Sequence, residues 1–269
     1  MIAAASARDA LDAAVTALGA AGCDTPRLDA ELLIADALGV ERAALVSDPA
    51  MPVPASAARL IGERVRARTA REPVAYRLGH KGFRRLDLMV DPRVLIPRPE
   101  TELLVEVALE LPNGARVHEV GTGCGAVALA LLDERPDLRV SASDVSTAAL
   151  EVARANAERL GLALEPSLAD GLPEGVEADL VVANLPYVAD TELAGLEPEI
   201  TRYEPRLALV SGPDGLEAIR ALVAKAPAGT RLALEHAPHQ AETVRALLVE
   251  PETRLDLAGL ERVTIGAAS

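Results

Sequence analysis

The chain has 269 residues, half of them hydrophobic and a quarter charged, with a mean hydropathy of +0.19, which excludes a disordered chain and allows one large domain or two unequal ones. Only 27 basic residues stand against 41 acidic ones, a net charge of −14, and the aromatics are limited to Tyr76, Phe83, Tyr187 and Tyr203. A nucleic-acid binder needs cations for phosphates and flat rings for bases, and this chain is short of both.

Residues 1–75 read as helices only. Apolar positions recur at three-to-four spacing through Leu11, Ala14 and Leu18, through Leu28, Leu32, Leu33 and Leu38, and through Ala57, Leu60, Ile61 and Val65, which predicts a small helical domain. Gly19, Gly22, Gly39 and the stretch 48–54 separate its helices. Residues 76–97 alternate apolar and polar, with Gly79 and Gly82 expected at a turn, and read as a linking β-hairpin. From residue 98 onward, expected strands at 116–120, 139–143, 163–168, 178–183, 206–210 and 230–235 alternate with amphipathic helices. That rhythm specifies a doubly wound, Rossmann-like α/β sheet. Near the end, Leu255 and Leu257, then Val263 and Ile265, form two short strands with no helix between them, so a reversed hairpin at the sheet edge is expected.

Charge is unevenly spread along these parts: −2 over 1–75, +3 over 76–97 and −15 over the remainder. The acidic C-terminal part favours a basic partner or a cationic ligand. Cys23 and Cys124 are too few for a disulfide framework, which fits a reducing cytosol and a cytoplasmic location. Arg8, Asp9 and Asp12 interrupt any signal-peptide core, and no apolar run approaches the roughly 18 residues of a membrane span.

The chemistry concentrates at four strand ends. After the strand 116–120 comes Gly121-Thr122-Gly123-Cys124-Gly125, whose glycines permit positive φ and whose following helix start is expected to offer free amides to an anion. With Ala126 the run also satisfies a dinucleotide fingerprint, and a plain tight turn remains open. Asp144 ends the next strand, where a carboxylate either meets ribose hydroxyls or caps a helix. Asp170 and Gly171 follow the third strand and could accept from an adenine amine or simply turn the chain. Asn184-Leu185-Pro186-Tyr187 decides among the readings: the Asn oxygen and a neighbouring carbonyl can both accept from a substrate NH2, Pro186 fixes φ, and Tyr187 supplies a flat wall. His236 and His239 flank Pro238 with no third ligand, so no metal is expected, and neither a nucleophile elbow nor a Cys/His dyad points to covalent catalysis. Glu100 and Thr101 read as the start of a helix.

Taken together, these segments resemble the peptide chain release factor glutamine methyltransferases, the HemK or PrmC family. The likeness spans nearly the whole chain and rests on Glu72-Pro73-Val74-Ala75-Tyr76 with Gly79, the segment from Leu95 to Thr101, the Gly121–Gly125 turn, Asn184 to Tyr187, Glu204-Pro205, Leu234-Glu235-His236 and the segment from Glu261 to Gly266. The resemblance implies S-adenosylmethionine as cofactor and methylation of the side-chain amide nitrogen (N5) of the glutamine in the Gly-Gly-Gln motif of class I release factors. It puts the methionine part of the cofactor at Gly121, Thr122, Gly123, Cys124 and Gly125, the ribose at Asp144 and the adenine near Asp170 and Gly171. Asn184, Leu185, Pro186 and Tyr187 would hold the glutamine, with Asn184, Pro186 and Tyr187 catalytic and Asn184 also touching the cofactor. Three positions depart from the family: Leu185 replaces the first proline of Asn-Pro-Pro-Tyr, Gly171 stands where relatives often carry an aromatic, and Glu119 replaces an Asp. The helical domain is expected to dock the release factor, the protein to act as a monomer, and neither nucleic acid nor membrane to be a partner.

Two other functions share parts of the pattern. Asn-Leu-Pro-Tyr also occurs in rRNA adenine dimethyltransferases, so RNA or DNA adenine N6 methylation is an alternative, opposed by the acidity and the N-terminal helical domain. A catalytically silent module that binds release factor without turnover is the other.

Overall fold

The computed structural model describes residues 6–269, which divide into two units: residues up to Gly79 together with Glu197–Tyr203, and His80–Leu196 together with Glu204–Ser269.

The first unit is helical. Helix α1 (Ala7–Ala20) begins with a reciprocal cap in which Ser6 Oγ accepts from Asp9 N and the Asp9 carboxylate accepts from Ser6 N. Helix α2 (Pro26–Leu38) has proline in its first turn, where no amide partner is lost, and stops at Gly39 in the left-handed region. Helices α3 (Arg42–Ser47), α4 (Ala55–Thr69) and α5 (Val74–Leu78) follow. Their apolar faces close over Leu11, Leu18, Ile34, Leu45 and Ile61. Beyond what periodicity suggests, a segment from far along the chain completes this unit. Arg68 of α4, buried, pairs with Asp29 of α2 at 2.7 Å and with Glu199 at 2.6 Å, while Arg71 reaches the second Glu199 oxygen at 2.6 Å. Tyr203 donates its hydroxyl to the Ala70 carbonyl.

The second unit opens with a two-stranded hairpin, β1 (His80–Phe83) and β2 (Leu86–Met89). This corrects the expected hairpin span: Tyr76 lies in α5, Gly79 caps that helix, and Gly82 pairs with Asp87 inside the ladder. The turn is made by Arg84, at φ 52°, and Arg85. Arg84 is held there by paired hydrogen bonds to Glu134 at 2.9 Å each, a constraint with no local sequence signature.

A seven-stranded sheet carries the rest: β3 (Arg116–Val120), β4 (Arg139–Asp144), β5 (Ser167–Leu168), β6 (Leu180–Ala183), β7 (Arg231–Glu235), β8 (Val249–Leu255) and β9 (Glu261–Ala267), in the order β5-β4-β3-β6-β7-β9-β8. All neighbours from β5 to β7 are parallel, and β9 runs antiparallel to β7 with β8 as its hairpin partner at the rim. Strand β6 is buried at every position and β7 from Leu232 to Glu235, as parallel strands covered on both faces must be. Helix α6 (Glu102–Leu109), ahead of β3, and the crossover helices α7 (Ala126–Glu134), α8 (Thr147–Leu160) and α9 (Glu217–Lys225) supply that cover.

Two expected strands change. The run at 163–168 pairs only over its last two residues, and 206–210 forms a 3-10 turn (Arg206–Ala208) with a single bridge from Val210 to Val188. Pro205 removes a ladder donor at its start, and Leu207 is exposed rather than buried. The last hairpin also begins earlier than Leu255, at Val249.

Asn156 of α8 ties the hairpin to the sheet unit: its Oδ1 accepts from Met89 N at 2.7 Å and its Nδ2 donates to the carbonyls of Met89 and Cys124.

Removing one partner of a buried ion pair strands the other charge, at a cost of about 3–5 kcal/mol. Glu199→Ala should therefore lower the stability of the helical unit by about 3 kcal/mol, read as an earlier midpoint in urea followed by helical circular dichroism.

Candidate active site

Strands β3 and β6 are neighbours, yet the chain leaves β3 toward β4 on one side and reaches β7 from β6 on the other. This is the switch point at which doubly wound sheets open a crevice. The register pairs Val120 with Ala183, so Gly121 and Asn184 leave the sheet side by side. A cleft of about 870 Å³, counting its open mouth, lies over these strand ends. It is lined by the glycine turn, by Asp144, Val145 and Ser146, by Asn184, Leu185 and Pro186, and by two further segments around Leu95 and Leu207.

Close approach fixes the turn. A Cβ on Gly121, at φ 76°, would come within 3.1 Å of Leu185 Cδ2, and one on Gly125, at φ 87°, within 2.9 Å of Leu129 Cδ1. Four of the turn's five amides are consumed internally, which removes most of the free donors expected for an anion. Gly121 N and Thr122 N both donate to the Ser143 carbonyl, Gly123 N donates to Asp144 Oδ2 at 2.9 Å, and Gly125 N donates to the Thr122 carbonyl. At the start of α7 the buried Glu119 takes the place an anion would occupy: its Oε2 accepts from Ala128 N at 3.0 Å and from Thr122 Oγ1 at 2.6 Å. Burial pushes the Glu119 carboxyl up to about 7 against those hydrogen bonds. A pyrophosphate would be repelled by the carboxylates here, whereas a cationic or neutral ligand would not.

Asp144 lines the cleft with both oxygens engaged, Oδ2 by Gly123 N and Oδ1 by Ser146 N, and burial raises its pKa. Each oxygen keeps a lone pair for a ligand hydroxyl. Cys124 is buried and its thiol is pushed up to about 12, so it is a packing residue rather than a nucleophile.

Asn184 is half-buried. Its Nδ2 donates to Thr101 Oγ1 at 2.9 Å, and among the described residues neither its Oδ1 nor the Leu185 carbonyl oxygen has a hydrogen-bond donor. Pro186 lines the cleft beside them. Tyr187 does not: its ring turns inward and its hydroxyl faces Glu235 Oε1 at 3.5 Å, so it anchors the loop rather than walling the cleft. Burial, reinforced by Glu235, raises the pKa of this phenol. The loop is pinned again where Gln240 Nε2 donates to the Tyr187 carbonyl at 2.9 Å, and Gly215 has no room for a side chain, since a Cβ would lie 2.1 Å from that oxygen.

Asp170 and Gly171 are not among the lining residues. The Asp170 side chain is 88% exposed beside Lys225, and Gly171 offers its carbonyl to Ser143 Oγ. Strand β5 is only two residues long, so the chain leaves the sheet before these positions reach the cleft.

Three contributors escape a motif reading. Thr101, expected only to start a helix, orients Asn184. Glu204, 7% exposed, accepts from Ile96 N at 3.2 Å and pairs with Arg98, which holds the wall formed by Leu95 and Pro97. Glu235 lies behind Thr101 and Tyr187 at the end of β7. Their only sequence signal was membership in the segments that carry the resemblance. His236 is buried against the Ala237 carbonyl and Thr264, and His239 pairs with Glu192. Among the described residues no group of three or more His, Cys, Asp or Glu is placed to hold a metal ion.

A carboxyl whose pKa is raised on folding contributes stability that is full below its unfolded value and is lost as pH rises through its folded value. Between about pH 4.5 and about 7 the Glu119→Gln variant should therefore lose less stability than the parent, measured as thermal midpoints across that range. Equal slopes would remove the assignment of Glu119 as a buried, protonating group.

Residues 9–79 match the family described as PrmC N-terminal domain, and residues 99–198 match the methyltransferase small domain. The release factor glutamine methyltransferase of Cereibacter sphaeroides is 43% identical over 268 residues, 96% of this chain and 93% of that protein. That of Mycolicibacterium smegmatis is also 43% identical, over 95% of each chain. Among solved structures, the hMettl16 catalytic domain in complex with an RNA hairpin superposes with a TM-score of 0.51 at 13% identity, over 68% of this chain and 75% of its own, a likeness of fold alone. The glycine turn, the acidic strand end and the Asn-Leu-Pro-Tyr lip thus sit on one crevice in a chain that belongs to the release factor glutamine methyltransferase family.

Proposed function

We infer that this protein methylates the side-chain amide nitrogen of the glutamine in the Gly-Gly-Gln motif of class I peptide chain release factors, with S-adenosylmethionine as donor. The observation that carries the reading is the pair of acceptors at the cleft lip beside the Gly121 turn, Asn184 Oδ1 and the Leu185 carbonyl, which have no hydrogen-bond donor among the described residues. The residues present fit the cofactor. The Gly121–Gly125 turn allows close approach, Asp144 has lone pairs for ribose hydroxyls, and Glu119 excludes phosphates while tolerating a sulfonium. When bound, S-adenosylmethionine supplies a methyl group already activated by its positive sulfur.

The remaining work is positional. An amide nitrogen is a weak nucleophile because its lone pair is delocalised, so its two hydrogens must be gripped and its free face aimed. Asn184 Oδ1 and the Leu185 carbonyl are suited to accept one hydrogen each. As the nitrogen gains positive character, the same acceptors bind it more strongly than in the ground state, which lowers the barrier. Leu185 contributes through its backbone, so its departure from proline leaves the acceptor in place. No base within the lip is required, because the nitrogen becomes acidic once alkylated. Asn184→Ala should abolish methyl transfer, scored by mass spectrometry of the release factor, while cofactor binding persists at least in part. A fully active variant would discredit the role.

The helical unit is the proposed docking surface for the release factor, and the enzyme is read as a cytosolic monomer without direct nucleic-acid contact. The charge of −14 supports the absence of nucleic-acid contact, and two unpaired, buried cysteines support a reducing compartment. The acidic catalytic half complements a partner that must approach RNA, so steering by opposite charge should raise the association rate. Raising salt from about 50 mM to about 500 mM should slow association with the release factor several-fold in stopped flow; a rate indifferent to salt would rule out steering.

A further inference from the structure

The two acceptors at the lip are held unequally. Asn184 is tied by its own side chain to Thr101, whereas Leu185 makes no hydrogen bond through its backbone N or O among the described residues. The next fixed point is the Tyr187 carbonyl, where Gln240 Nε2 donates at 2.9 Å. A carbonyl turns with the φ and ψ of its own residue, so an acceptor without a bond of its own keeps its aim only if something else fixes those angles. Pro186 restricts ψ, because the residue before a proline is confined to extended backbone. It leaves φ open. Leu185 stands at the one position of the lip where a proline ring, as in Asn-Pro-Pro-Tyr, would have fixed φ as well.

The leucine side chain supplies the missing restraint. It is partly buried and packs on the apolar cluster that includes Val120 and Ala183, the last residues of β3 and β6, together with Leu216 and Leu234. Its Cδ2 lies over Gly121: a Cβ on that glycine would come within 3.1 Å of it, while the next neighbour, the Asn184 carbonyl oxygen, would be 3.6 Å away. Leu185 is thus seated between the core and the bare Cα of the glycine turn. Rotation about its φ would drag the side chain out of both contacts.

We propose that the Leu185 side chain is a positioning element: seated against Gly121, it holds the Leu185 carbonyl in the orientation that accepts one hydrogen of the substrate amide. This rests on the reading of the lip as the grip on the glutamine amide. It also gives Gly121 a second reason to lack a side chain, because the turn and the lip touch through this one contact.

The test is steady-state methylation of full-length release factor with kcat and KM separated, beside S-adenosylmethionine binding by calorimetry and thermal midpoints. Leu185→Ala empties the seat and should lower kcat about tenfold, within the hundredfold or so that a misplacement of about 1 Å can cost. KM for the release factor should move less than about threefold, as when a transition-state interaction is weakened. Cofactor affinity should stay near that of the parent. Leu185→Pro has no seat either, but its ring fixes φ and its missing N–H was bonded to nothing, so it should recover most of the rate, which a merely structural role would not give. Leu185→Val removes Cδ2 while keeping most of the apolar bulk. It should show the same split on a smaller scale, which keeps the result independent of whether Leu185→Ala folds well. Gly121→Ala should lower the thermal midpoint less in the Leu185→Ala background than in the parent, because the added methyl then has no Cδ2 to meet.

A Leu185→Ala enzyme with the parent's kcat, a Leu185→Pro enzyme no faster than Leu185→Ala, or equal Gly121→Ala losses in both backgrounds overturns the proposal, even where Asn184→Ala is dead. So does a Leu185→Ala enzyme whose sole defect is weaker binding of S-adenosylmethionine, which would make the side chain a cofactor contact. An active Asn184→Ala instead overturns the reading on which the proposal rests.

Discussion

The pairing of β3 with β6 is the constraint on which the site depends. Only because Val120 and Ala183 are direct partners do two segments more than 60 residues apart in sequence deliver a glycine turn and an amide to one point. Both strands are buried, so a shift of register by one residue would expose apolar side chains as well as separate the two halves of the site. Stability and alignment are therefore enforced by the same contacts. The lip then needs only local fixing, which Thr101, Gln240 and the closeness of Gly215 supply.

Within the cleft, the protein's own carboxylates determine what kind of charge is welcome. A glycine turn followed by a helix is often an anion site, and the amide dipoles here are arranged as they would be for one. Glu119 and Asp144 occupy those dipoles from inside. A loop shared in outline with dinucleotide-binding proteins is thereby turned toward a ligand whose reactive end is cationic. The difference lies in two side chains, not in the course of the backbone.

Much of this was legible in the sequence, and what was not had physical reasons. Parallel strands buried on both faces and the helices between them leave strong periodic signals, so the sheet from 116 onward was readable, as were the glycine turn and the Asn184 lip. The reversed hairpin was signalled by the missing helix after Leu255. The failures involve partners distant in sequence. Arg84 forms the hairpin turn because Glu134 holds it, and 197–203 belongs with the helical unit because Glu199 meets Arg68 and Arg71. Tyr187 turns inward because a buried acid awaits its hydroxyl. Apolar runs mislead where a proline precedes them, as at 206–210. None of these outcomes is encoded in spacing along the chain.

The Asn156 side chain carries an implication for anyone who would excise the catalytic half as a separate fragment. Composition places the natural cut near residue 98, at the start of the strand-helix rhythm. Yet this one amide is shared between Met89 and Cys124, so trimming there would discard two of its three hydrogen bonds and loosen the glycine turn from behind. The small hairpin belongs to the enzyme's foundations, and a minimal catalytic piece begins no later than His80.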